Sequence, residues 1–132
     1  MAAIFHIIRK DELDLLNEDY YIPESLTSDG FIHCSKAEQL EEVLNQLLKN
    51  EKKITIIKIN VEKTKSEIKF EAPIEAPQST IYYPHIYGPL NKDAIEKKVE
   101  LTIEDDGKFH LPKNLIFFLN KSKSLYCVSF FS

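Results

Sequence analysis

Three of the four histidines in this chain stand in segments able to hold a ring at a fixed angle: "AIFHII", "GFIHCSKAEQ" and "YYPHIYGPLN". Imidazole is the side chain that takes up and releases a proton near neutral pH, and its two nitrogens can donate to or accept from a ligand oxygen. His33 ends an apolar stretch just before a helix, beside backbone N–H groups that favour an oxygen-rich or anionic ligand. Ser35 with Glu38 reads as an S-x-x-E capping box, in which the serine hydroxyl caps the helix or also reaches a ligand. His6 shares a strand face with Ile4 and Ile8, so its ring needs a partner, either a protein group or a ligand. His85 follows Pro84 and precedes Tyr87 and Gly88, a rigid and then permissive frame that sets side-chain direction. Glu71 closes "EIKFE" just ahead of a proline loop that could shape a rim. Together these segments read as one polar pocket, with His6, His33, Ser35, Glu71 and His85 as the residues able to do chemistry there. The plainer readings are satisfied core histidines, a solvated glutamate and an aromatic turn. His110 reads as a surface residue.

Other chemistries lack their residues. No histidine pair has H-x-x-x-H spacing and neither cysteine completes a metal set, so no metal is expected; three converging histidines in a metal-assisted hydrolase are the alternative. Three glycines cannot build a G-x-G-x-x-G, a P-loop or a G-x-S-x-G. Cys34 and His33 are strand neighbours pointing to opposite faces, which argues against a thiol nucleophile.

The elements that must position these residues follow from pattern. "AIFHII" is a first strand, and "DELDLLN" a short helix with acids in its first turn. "YYIPESLTSDG" reads as a loop. Leu40, Val43, Leu44, Leu47 and Leu48 form the apolar stripe of a helix. "ITIIKINV" is a strand apolar enough on both sides to be central. "EIKFE" alternates, with Ile68 and Phe70 expected inward. "APIEAPQST" is a loop, "IYYPHIY" a strand broken at Pro84, and "GPLN" a turn. "EKKVELTI" alternates, and "EDDGKFHLP" turns at Asp106-Gly107 into a short strand. "NLIFFLN" and "SLYCVSFFS" are apolar, the second a terminal strand in need of a partner. Five to seven strands with two or three short helices predict an α+β domain built on a mostly antiparallel sheet.

The 132 residues fit one domain, and 43% apolar with 29% charged residues is ordinary for a globular protein. A net charge of −4 and a pI near 5.6 give no signal for nucleic acid or anionic lipid. No apolar run is long enough to span a bilayer, the N-terminus lacks a signal-peptide pattern, and "KDEL" at Lys10–Leu13 is internal. Cys34 and Cys127 read as reduced thiols. The expected location is cytoplasmic.

"IFHI", "GFIHCS", the "FE" that closes a mid-chain strand, "PHIYGPLN" and "DGKFHLP" together resemble the family called domain of unknown function 952. The resemblance runs from Ile4 to Pro112, so residues 1–112 are the expected domain. Residues 113–132 fall beyond the pattern, as an extension packing on or completing it. "KFE" stands where a tryptophan-glutamate pair is more typical. The resemblance implies an ADP-ribosyltransferase-like fold whose split, mainly antiparallel sheet clasps NAD, as substrate rather than resident cofactor. It also implies roles: His6 at the nicotinamide-side ribose, Ser35 with His33 lining the cleft, Glu71 assisting transfer, and His85 and Tyr87 as further contacts. The expected function is therefore a nucleotide-, NAD- or ADP-ribose-handling enzyme performing ADP-ribosyl or phospho transfer. In it Glu71 stabilises cationic character at the sugar carbon and Tyr87 packs on a planar ring. The alternative is a non-catalytic module binding a small nucleotide-like ligand in the same pocket.

Overall fold

The computed structural model describes residues 3–47 and 50–111. Its centre is the isoleucine-rich strand β4 (Lys53–Asn60), flanked antiparallel by β1 (Ala3–Arg9) and β8 (Ile95–Thr102). Ile54, Ile56, Ile57 and Ile59 are all buried, because both faces of this sheet are covered. On one face Phe5, Ile54, Ile56, Val99 and Leu101 pack with Leu40 and Leu44 of helix α2 (Leu40–Leu47). The spacing of four puts those two leucines on one stripe of the helix. On the other face Ile4, Ile8, Ile57 and Ile59 meet Ile32, Ile86 and Leu90. Alternation along β1 thus feeds two cores, Phe5 into one and Ile4 and Ile8 into the other.

The second layer is another antiparallel sheet, in the order β3 (Ile32–His33), β6 (Tyr83–Tyr87), β5 (Glu67–Glu71). A two-stranded ladder joins β2 (Tyr20–Tyr21) to β7 (Leu90–Asn91). One further bridge ties the layers: Phe5 and Ser35 exchange backbone hydrogen bonds of 2.8 and 2.7 Å. Every described pairing is antiparallel, the class is α+β, and the sheet is split into three pieces.

Several expectations need correction. The segment from Tyr20 to Gly30 is not a plain loop; it carries β2 and a short helix α1 (Ser25–Ser28). "DELDLLN" forms a 3₁₀ helix, Lys10–Asn17. The capping pair is displaced by one residue. Lys36 N–H donates to Gln39 Oε1 (2.9 Å) and Gln39 N–H to the Lys36 carbonyl, so Ser35 is free of capping duty and serves the bridge to β1 instead. Pro84 does not break its strand. Its carbonyl accepts from Cys34 N–H, and the missing proline N–H faces the same side, so the proline forfeits only the return bond to Cys34 just past the end of β3 and leaves the ladder to β5 intact. Phe70 is about half exposed although it shares a face with Ile68, because that face is left partly uncovered at this end of the edge strand β5. The turn at Asp106-Gly107 forms, yet no strand follows it up to Leu111. The expectations for Leu48, Cys127, "NLIFFLN", "SLYCVSFFS" and the 113–132 extension lie outside the described residues. Among the described residues, no helix is long and apolar enough to cross a membrane.

Candidate active site

Register decides what meets at the site. His33 pairs with His85, Lys69 with His85 on the other side, and Glu67 with Tyr87, so the odd-numbered residues of β5 and β6 share one face with His33. Glu71 lies diagonally from His85, within reach of a long side chain. His85 Nδ1 stands 2.8 Å from Glu71 Oε1, and the Tyr87 hydroxyl donates to the same oxygen. These bonds, Tyr87 first and His85 next, hold the Glu71 carboxyl below its ordinary range, and the same carboxylate pushes the Tyr87 hydroxyl up to about 12. With Glu71 ionised, neutral His85 keeps its proton on Nδ1 and leaves a lone pair on Nε2. No described residue hydrogen-bonds that second nitrogen. Phe31 stacks on the ring at 3.9 Å between centroids and 19° between planes, which fixes its tilt. His85 as a whole is 3% exposed.

His33 stands edge-on to His85 at 5.8 Å and places Nε2 2.7 Å from Asp29 Oδ2. His6 has a different part from the expected one. Its Nδ1 donates to the His33 carbonyl at 2.6 Å, and its Nε2 accepts from the Tyr21 hydroxyl at 2.8 Å. Burial lowers its pKa to about 4, so the ring is neutral and both nitrogens are taken. His6 positions β3 and has no nitrogen left to touch a ribose. The same fact removes it from a three-histidine metal centre. Among the described residues no group of three or more His, Cys, Asp or Glu could hold a metal ion.

A cleft of about 610 Å³ opens between the edge of the first sheet, the 12–29 segment, the end of β3 and β6. His6, His33, Ser35 and His85 line it. Ser35 is 4% exposed, and its hydroxyl has no hydrogen-bond partner among the described residues. Glu71 and Tyr87 are not part of its wall and act from behind His85. Cys34 reaches the wall, but burial pushes its thiol well above the usual range, which keeps it out of nucleophilic work.

Gly88 stands away from the cleft. Its φ of +156° suits glycine, and an added Cβ would lie 2.5 Å from Ser66 Oγ, which itself donates to the Pro89 carbonyl. Gly88→Ala is expected to cost about 2 kcal/mol of stability in chemical denaturation, through backbone strain and loss of that hydrogen bond. A change within about 0.5 kcal/mol would show that the turn adapts freely.

Phe31, Asp29 and Tyr21 complete the arrangement without having been singled out in the sequence. Phe31 lies inside "GFIHCS" and Asp29 four residues before His33, so both had a local signal. Tyr21 had none, because its meeting with His6 depends on β2 pairing with β7.

A split antiparallel α+β fold with a carboxylate–imidazole pair beside an open cleft is thus the class of protein. The family described as "Protein of unknown function (DUF952)" matches residues 7–98, and the chain belongs to it. The crystal structure of protein CC0527 from Caulobacter crescentus is similar, with a TM-score of 0.72 at 23% identity over 86% of this chain and 97% of that one. The solution structure of CC0527 gives a TM-score of 0.69 at 24% identity over 87% and 97%. At that identity the likeness speaks for the fold alone. No curated protein matches the chain.

Proposed function

We propose that the protein is a transferase-like enzyme acting on a nucleotide-like ligand, with NAD or ADP-ribose the first compounds to consider. The observation that carries this reading is His85: buried, stacked, oriented by Glu71, and offering Nε2 where no protein group meets it. A histidine held so by a carboxylate is a general base whose protonated form the carboxylate stabilises. In the reaction, an acceptor hydroxyl gives its proton to Nε2 as its oxygen bonds the sugar carbon. The departing base leaves with the electron pair of the broken glycosidic bond. Glu71 acts through His85 here, not directly on the sugar, because one of its oxygens is held by two donors. In this reading the split antiparallel sheet is ADP-ribosyltransferase-like, and the support it lends is analogy at the level of fold.

Calorimetric titration with NAD, ADP-ribose and a 2′-phosphorylated RNA end tests it. Heat corresponding to a dissociation constant of about 1 mM or tighter is expected from at least one, with product formed from that ligand. No heat from any of them overturns the reading. Binding without product transfers the site to the ligand-binding alternative.

A further inference from the structure

We infer that the part of the ligand held in the cleft is a hydrogen-bond donor, hydroxyl or ammonium, and that phosphate and carboxylate groups stay outside it. This rests on the reading of the cleft as the binding site and names the chemistry it selects. Two polar atoms on largely buried residues of the cleft wall have no protein partner among the described residues. His85 Nε2 is an acceptor while the Glu71 bond keeps the proton on Nδ1, and Ser35 Oγ can accept as well as donate.

The charged lining points the same way. Glu12, Glu24, Asp29 and Glu75 face Arg9, the only arginine or lysine among the described residues of the wall. Glu12 is engaged by the Glu24 N–H and Asp29 by His33. Glu24 and Glu75 have no hydrogen bond or ion pair from their carboxylates among the described residues, so four oxygens remain to accept. Arg9 is about half exposed and stands 3.8 Å from Glu51. A phosphate brings only acceptors and negative charge to such a wall, while a polyol or amine satisfies it. A nucleotide would therefore enter sugar first and leave its phosphates in solvent.

The experiment follows the ring signals of His85 and His33 by NMR, with the full chain at one neutral pH and fixed ionic strength. One arm adds Tris, an amine triol that is largely cationic there, and the other inorganic phosphate. Tris is expected to shift the His85 signals at a concentration at least about tenfold lower than phosphate does. Glu24→Gln with Glu75→Gln should shrink that ratio about threefold or more. A phosphate shift that comes first, no shift from either in the millimolar range, or a ratio unchanged by the double substitution would overturn the inference. Because no nucleotide is used, its failure leaves nucleotide binding standing. Tris binding without heat from any nucleotide keeps the inference and removes the nucleotide reading.

Discussion

Glu71→Gln is expected to slow product formation from the bound ligand by about 10²–10⁴-fold, while changing its affinity by less than about threefold. The asymmetry follows from geometry. Glu71 stands behind His85 and takes no place in the cleft wall, so ground-state binding does not need it. Proton transfer does. Glutamine carries no charge to stabilise the imidazolium, and if its amide turns a donor toward Nδ1 the ring must move its proton to Nε2, which then has no lone pair for the acceptor hydroxyl. Single-turnover measurement at saturating ligand reads the chemical step apart from binding. Tyr87→Phe removes one donor to Glu71 and keeps the dyad, so its effect should be the smaller. Turnover of Glu71→Gln within about threefold of the parent would remove His85 from the chemistry.

The parts of this site legible in the sequence were those set by local pattern. Strand alternation placed Glu71 on the side of β5 away from Ile68, and register with β6 then carried it to His85. Proline and glycine around His85 marked a constrained segment, although the constraint took another form: Pro84 sits inside the strand and gives up only one bond, at the end of β3. What the sequence could not show is partner choice between distant segments. His6 and His85 looked alike, each a lone imidazole among apolar neighbours. One is satisfied by a main-chain carbonyl and Tyr21, the other keeps a nitrogen for the cleft. Ser35 looked like a helix cap by its spacing to Glu38, but its backbone was claimed by Phe5, which moved the cap to Lys36. Phe70 looked inward because alternation gives faces, and only the packing of a second layer decides whether a face is covered.

His6 supplies the other large effect, on stability. Its ring is buried and neutral, with a pKa lowered from 6.5 to about 4, chiefly by loss of solvent. Above pH 6.5 folded and unfolded chains both carry it unprotonated, and its contribution is fully present. As pH falls below 6.5 the unfolded chain takes up a proton that the folded chain refuses until about pH 4, so stability is lost across that window, by about 3 kcal/mol in all. His110 works in the opposite sense, since the Asp106 contact raises its pKa and adds stability as pH falls. The comparison that isolates His6 is therefore with His6→Asn, whose amide can still donate to the His33 carbonyl but does not titrate. Urea denaturation at intervals between pH 6.5 and 4 should show the parent losing about 3 kcal/mol more than the variant, from a higher starting point. Parallel curves would mean that the ring is not held neutral. Because His6 grips the carbonyl of His33, the first structure released on acidification is the end of β3. The cleft should then open before the isoleucine core around β4 gives way, with Cys34 and Ser35, whose N–H groups bond the Pro84 and Phe5 carbonyls, losing amide protection ahead of Ile56 and Ile57 in hydrogen exchange.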